Sequence, residues 1–290
     1  MKNILLATTA LVMTAGMASA EVTFTGTTKA GVTTNTGTAT VYTYGKLGVA
    51  GTTTTDGGLT VSLSQSIESG STVSLSTTTG TGGWVIDTNA GALSQPVITV
   101  SGGFGTLTIN NDGVDDYITS SHDHDAGLAV TLGSATVSLA TTISDTNADN
   151  EVGDYSAKVV IAAGDFTITA AADEDNNTKG VVSYAMGDAT VGVTSKTVSD
   201  VQTNSAQLAW SSNGLSVGVD TVLSTDATTF DAGDYDLSLG YSLDATSIAL
   251  GMNEDGDYNL VSSYDLGGGA SIRAGANSAE FSYLGLQMSF

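Results

Sequence analysis

Apolar and polar residues alternate with a period of two along most of this chain. Leu59, Val61, Leu63 and Ile67 stand on one parity, with Thr60, Ser62, Ser64 and Ser66 on the other. Ala135, Val137 and Leu139 oppose Thr136, Ser138 and Ala140 in the same way. So do Leu215, Val217, Val219 and Leu223 against Ser216, Gly218 and Asp220, and Leu237, Leu239, Tyr241 and Leu243 against Ser238, Gly240 and Ser242. Successive side chains of a strand point to opposite faces, so each segment carries one oily face and one wet face. The chain also ends this way, with Leu284, Leu286, Met288 and Phe290 opposed to Gly285, Gln287 and Ser289. Chain ends ordinarily fray. An amphipathic strand running to the last residue instead suits a closed sheet whose final strand pairs with its first and faces hydrocarbon. The pattern predicts an all-β fold, an antiparallel up-and-down barrel crossing a membrane.

Two kinds of connection alternate between the strands. Tight Gly or Asp turns are expected at Asp56-Gly57-Gly58, Gly102-Gly103, Gly133-Ser134, Gly164-Asp165, Gly187-Asp188, Asn213-Gly214, Leu243-Asp244 and Leu266 to Gly269. Longer polar stretches lie between them: Asp112 to Asp125, Ser144 to Asp154, Asp173 to Thr178 and Ser224 to Asp234. Short turns at one end and longer loops at the other are the outer-membrane arrangement. The turn count predicts sixteen to eighteen strands, with Ser71 to Thr79 readable as strand or loop. Tyr184, Trp210, Tyr241 and Tyr264 stand just before tight turns, and Phe104 and Phe166 within or just after one. Rings with an apolar body collect at a membrane boundary, so these six are candidate interface aromatics.

Residues 1–20 are expected to be a removable export signal, with residues 21–290 forming the barrel. Lys2 supplies the positive start, Ile4 to Val12 the apolar run, and Ala18-Ser19-Ala20 a small-residue cleavage site. No other apolar stretch approaches the roughly 18 residues of a membrane helix. Cysteine is absent, which removes disulfides and thiolate metal sites from consideration. Charged residues make up only 13%, while the formal charge is −23. That balance disfavours nucleic acid as a partner, because phosphate contacts need a basic surface. It favours cations over anions as the attracted species.

Few basic side chains remain beyond the leader. Lys29, Lys46, Lys158, Lys196 and Arg273 all occupy the polar parity of their strands, and Lys179 sits at a loop edge. Facing lipid, each would cost about 2–4 kcal/mol near the midplane, so the lumen is the expected side. Asp112, Asp115, Asp116, Asp123 and Asp125 cluster after the segment Gly105 to Asn110. Folded inward, this loop would set its carboxylates against the wall lysines and create a transverse field at the narrowest point.

The chain resembles the general diffusion porins of alphaproteobacteria. The likeness rests on Glu21-Val22-Thr23-Phe24-Thr25-Gly26, on Val100 to Leu107 (Val-Ser-Gly-Gly-Phe-Gly-Thr-Leu), on Ser263 to Ile272 with its Leu-Gly-Gly-Gly-Ala turn, and on the terminal Phe290. The resemblance implies a sixteen-stranded barrel in a Gram-negative outer membrane. It also implies a homotrimer, passive flow of small hydrophilic solutes, and a third loop, about Asn111 to Gly127, folded into the pore. Phe290 would be the signal read by the barrel-assembly machinery. Lys29 and Lys46 match the family's eyelet-wall basic positions, although one arginine is fewer than that family's basic cluster. The short third loop would leave a wider pore.

Other chemistry has thinner support. Asp112, Asp115 and Asp116 are a candidate calcium site, and the two histidines of His122-Asp123-His124-Asp125 a candidate metal pair. A hydrolase would need a serine beside an oriented histidine, and no serine is singled out; the chain is not expected to be an enzyme. The alternative class is a secreted, calcium-stabilised β-rich surface-layer or adhesin-like protein. It shares the composition but lacks the tandem Gly-Gly-x-Gly-x-Asp repeat.

Overall fold

The computed structural model describes residues 20–75, 84–119, 122–144, 152–226 and 233–290. The expected leader, apart from Ala20, and parts of four connections lie outside the described residues. The first seven strands are β1 (Glu21–Asn35), β2 (Thr38–Thr54), β3 (Thr60–Leu75), β4 (Trp84–Leu93), β5 (Val97–Gly102), β6 (Gly105–Asp115) and β7 (His122–Leu132). Six more follow: β8 (Ala135–Thr141), β9 (Tyr155–Ala163), β10 (Phe166–Asp173), β11 (Thr178–Met186), β12 (Ala189–Val198) and β13 (Val201–Ser212). The last are β14 (Leu215–Thr225), β15 (Tyr235–Leu243), β16 (Thr246–Asn253), β17 (Tyr258–Gly267), β18 (Ala270–Asn277) and β19 (Phe281–Ser289).

All belong to one antiparallel sheet that closes on itself. β19 returns to β1, running from Thr27 opposite Ser289 to Asn35 opposite Phe281. Gly26 and Phe290 complete the seam with two backbone hydrogen bonds of 2.9 and 3.0 Å. The Phe290 ring lies over Gly26, where a side chain would meet it. β4 and β5 share one position in the wall. β4 pairs with the upper part of β3, and β5 with Thr60–Ser64. Pro96, which has no N–H for a ladder, sits in the break between them. Ser94 bridges the break, accepting from the Ser66 amide at 2.7 Å through Oγ. Among the described residues the nineteen strands thus form an eighteen-position barrel, two more than the resemblance implied and the upper limit of the turn count.

The alternation maps onto the two faces of the wall. Phe24, Leu63, Ile67, Leu284, Leu286 and Met288 are exposed on the outside. The inner face carries hydroxyls that pair across strands: Thr27 with Ser289 at 3.3 Å, Thr203 with Thr225 at 3.1 Å, and Ser247 with Ser263 at 2.7 Å. The expected tight turns gather at one rim, together with Glu21 and Phe290. The opposite rim carries the longer loops, but two connections there are also tight. They are Thr36-Gly37 and Ser199-Asp200, both with positive φ at each residue, the geometry that matches strand twist in a two-residue hairpin. Several loop-rim turns are closed by an Asx side chain: Asp173, Asn253 and Asn277 accept from the amides of Asn177, Asp257 and Phe281 at 2.8–3.0 Å.

Two hairpins leave the wall and enter the barrel. The first is β3–β4. Its last residue paired with β2 is Gly70, opposite Tyr44, and the register against β4 slips between Glu68 and Gly70. Gly70 has φ +89°, and a Cβ there would fall 2.0 Å from the Thr43 carbonyl oxygen. Beyond this bend the strand is paired only with β4, and Val73 packs with Tyr42, Phe281 and Tyr283, with Leu75 beside them. Leu75 reaches Gly275 of β18, and β3 touches β17. The hairpin therefore crosses β2, β1, β19 and β18 on the inside. The second is the top of β6–β7, where Asn110 to Gly113 bulge out opposite Asp125 alone.

Gly31 marks a close backbone approach in the closing seam, since a Cβ there would lie 2.3 Å from the Leu284 carbonyl oxygen and 2.6 Å from Gly285 Cα. Gly31→Ala should destabilise the barrel by about 1–3 kcal/mol through overpacking against backbone. Gly45→Ala, with open space at its Cβ, should be silent. Thermal unfolding in detergent distinguishes the two, and equal midpoints would contradict a strained seam.

Candidate functional site: the charged lumen wall

The first basic group lies on β18, β1 and β2. Thr27 stands opposite Lys46, and Lys29 opposite Tyr44 on one side and Gln287 on the other. These residues share the inward parity, as the outward Phe24, Val32 and Leu47 require. Lys29 donates to Thr72 Oγ1 at 3.0 Å and lies 5.3 Å from the centre of the Tyr44 ring. Lys46 pairs with Glu68 at 2.5 Å, and the Tyr44 hydroxyl donates to the same carboxylate at 2.9 Å. Arg273 donates to Gln287 Oε1 at 3.1 Å, and it lines a small recess with Lys29, Tyr42 and Tyr283.

The acidic segment is arranged differently from the sequence expectation. β6 runs on to Asp115 and β7 begins at His122, so Asp112 and Asp115 stand in β6 and Asp123 and Asp125 in β7. Only Asp116 belongs to the connection itself. The reason is the bulge, in which Asp112 takes φ +49° and lets the ladder resume at Val114 opposite His124. The side chain of Asp123 lies outside what is described. Asp125 is buried and ties three segments together, accepting from the amides of Asp112 (3.0 Å), Ile143 (2.8 Å) and Ser144 (2.7 Å), and from the Ser144 hydroxyl at 2.9 Å. His124 lies over the wall, its Nδ1 3.1 Å from Thr142 Oγ1 and its Nε2 3.2 Å from Ser156 Oγ. Tyr117 follows, with its amide donating to Ser156 Oγ at 3.3 Å and the Lys158 ammonium 4.2 Å from its ring centre. The hairpin top thus rests on the inside of β8 and β9.

Asp116 is buried beside this contact. Its Oδ1 accepts from the Ile118 amide at 2.8 Å, the Thr119 amide at 2.6 Å and the Thr119 hydroxyl at 2.9 Å. Burial alone would raise its carboxyl pKa, but these donors outweigh it and hold the group below the ordinary carboxylate range. Asp112 and its neighbours Asn110 and Gly113 line a cavity of about 540 Å³ whose other wall includes Lys46, Thr25 and Ser66. Bulge and basic wall therefore face each other across one shared cavity. Among the described residues no three acidic or histidine side chains converge as a metal site, and both His124 nitrogens stand within hydrogen-bonding distance of wall hydroxyls.

Two further charged groups escaped the sequence reading. Lys179, expected at a loop edge, stands directly opposite Lys196, and Ala171 separates Lys179 from Lys158 in the same row. Three lysines thus form one tier over β9, β11 and β12. On β14 and β15, Asp220 and Asp236 are direct cross-strand neighbours, flanked by Gln207 and Asn253. Like charges placed directly opposite repel. Polar parity alone signalled these residues; only the register sets them side by side. Round the wall the groups succeed one another as basic (β18, β1, β2), acidic (β6–β7), basic (β9–β12) and acidic (β14–β15).

The candidate interface aromatics lie at the tight-turn rim. Phe166 and Tyr184 are cross-strand neighbours with ring centres 4.5 Å apart. Trp210 stands opposite Ala189, Tyr241 opposite Leu215 and Tyr264 opposite Thr246, all on outward parity beside their turns. Phe104, in the turn between β5 and β6, is exposed.

A closed antiparallel barrel with an oily exterior and a hydroxyl- and charge-lined interior is a membrane channel of the outer-membrane kind. The chain matches the family described as Gram-negative porin over residues 7–284, and it belongs to that family. These are channels rather than enzymes. Solved structures of engineered variants of the Rhodopseudomonas blastica porin share the fold. Two triple mutants superpose with a TM-score of 0.55 at 14% identity, covering 93% of this chain and 100% of theirs. A third variant does so at 13% identity with the same coverage and score. No curated protein sequence matches the chain.

Because Asp116 has a lowered pKa in the folded state, its contribution is full above the unfolded value of about 3.9 and is lost as pH falls through the folded value. Amide exchange at Ile118 and Thr119 should therefore accelerate in acid beyond the intrinsic pH dependence. Asp116→Asn should abolish that extra acceleration, and an unchanged profile in the variant would exclude Asp116 as its source. Asp125→Ala should loosen the segment after β8 even at neutral pH, by roughly 3 kcal/mol for the lost charge-assisted bonds. Faster proteolysis near residue 144 is the expected readout.

Proposed function

We propose that this chain forms a water-filled pore in the outer membrane through which small hydrophilic solutes and ions diffuse passively, with cations preferred. The observation that carries the reading is the wall itself, apolar outward and lined inward by hydroxyls and alternating charged sectors. No moving part is needed; the solute gradient drives the flow. Lys29, Lys46, Lys158, Lys196 and Arg273, with Lys179 added, are the basic lining. Asp112, Asp115, Asp116, Asp123 and Asp125 are the acidic residues of the constriction hairpin, with Asp116 and Asp125 buried in its scaffold, and Asp220 and Asp236 add to the acidic lining. The formal charge of −23 tips the balance toward cations. Phe104, Phe166, Tyr184, Trp210, Tyr241 and Tyr264 are the membrane-interface ring, and the family implies a homotrimer. Residues 1–20 act as a cleaved export signal, and Phe290 as the assembly signal. Calcium at Asp112, Asp115 and Asp116 would be an accessory, without a part in conduction.

Planar-bilayer recording of the purified protein tests this reading. In a salt gradient the reversal potential should show cations more permeant than anions. The preference should fade as salt rises, because the Debye length is only about 8 Å at physiological ionic strength. Lys29→Ala and Lys46→Ala should each change the step size or strengthen cation preference. A reversal potential at zero in every gradient would overturn the preference, and absence of any channel would overturn the pore.

A further inference from the structure

We propose that the β3–β4 hairpin is a second constriction of this pore, setting its bore from the side opposite the β6–β7 hairpin. The proposal rests on the channel reading above and adds an element to it. Three observations point the same way. The bend is built in at Gly70, where positive φ and the 2.0 Å approach to the Thr43 carbonyl oxygen exclude other residues. Past the bend, Thr72 accepts from Lys29 at 3.0 Å, so the strand lies against the basic wall group of the lumen. Val73 and Leu75 then seat on Tyr42, Phe281 and Tyr283, the only buried apolar cluster among the described residues.

That cluster lies on the inward face of the barrel, where its neighbours are hydroxyls and charges. Apolar side chains placed alone on a wet wall would face water, and burying them against each other holds the hairpin inward. Gly275 and Gly285 keep room for it: a Cβ on Gly275 would meet Tyr283 at 2.4 Å and Leu75 at 2.8 Å, and one on Gly285 would meet the Tyr42 hydroxyl. A hairpin crossing β2, β1, β19 and β18 takes up cross-section that a plain barrel would leave to solute. It also holds Lys29 in place, so bore and charge at this wall are coupled.

The test uses the full-length protein in planar bilayers and in sugar-swelling liposomes. The double variant Val73→Ser with Leu75→Ser removes the anchor without touching any residue paired to β2. It should raise the single-channel step roughly 1.5-fold or more and admit larger uncharged sugars. A folded double variant with wild-type step and size limit overturns the proposal. Should that variant not fold, Thr72→Cys decides instead, since the natural chain has no cysteine. A bulky thiol reagent should then reduce the current in discrete steps, and a modified thiol with unchanged current overturns the proposal. Failure of the unmodified protein to conduct at all would instead refute the channel reading.

Discussion

Hydrocarbon offers no partner to a backbone N–H or C=O, and this single constraint organises the molecule. Each unmet group would cost several kcal/mol, so a sheet can cross lipid only if it has no edge. Everything at the seam between β1 and β19 serves that end. The ladder runs from Thr27 to Asn35, and Gly26 and Phe290 extend it to the last residue. Glycine at positions 26 and 31 admits the Phe290 ring and the backbone of β19. With the edge closed, the outer face is free to be oily and the inner face to be wet.

A wet interior limits the usual means of holding loops in place, because among the described residues the buried apolar cluster is the one that the β3–β4 hairpin itself completes. The two inward hairpins solve this by different physics. The β3–β4 hairpin carries its own apolar contact, placing Val73 and Leu75 on three aromatic rings from β2 and β19. The β6–β7 hairpin relies on buried polar groups that are well supplied with partners. Asp125 accepts four hydrogen bonds, Asp116 caps the turn that follows, and His124 spans two wall hydroxyls. Removing one partner of such a network leaves a buried group unsatisfied. The apolar anchor is insensitive to pH, whereas the polar one depends on carboxylates staying ionised.

Charge in the lumen obeys the same geometry. Lysines cannot face lipid cheaply, so the few present are driven inward, and a cross-strand register then decides their company. Lys46 finds Glu68, while Lys179 and Lys196 find each other. The lysine tier and the Asp220–Asp236 pair set like charges directly opposite each other on the wall. Solutes passing through therefore meet sectors of both signs.

Alternation along single strands determined a great deal by itself: the β class, the membrane-facing side, the inward parity of Lys29, Lys46, Lys158, Lys196 and Arg273, and the turns that gather at one rim. These properties are local, because parity is set by the pleat and turn type by the residues of the turn. Contacts between distant segments were not legible. Asn111 to Gly113 read as the start of a loop, yet a bulge carries the strand on to Asp115. Ser71 to Thr79 read equally as loop or strand, and nothing in its alternation says that its described part, up to Leu75, leaves the wall at Gly70 to meet Phe281, some two hundred residues on. Lys179 beside Lys196, and Asp220 beside Asp236, likewise follow from register. Register depends on how eighteen positions close into one ring, and closure is a property of the whole sheet that no single strand contains.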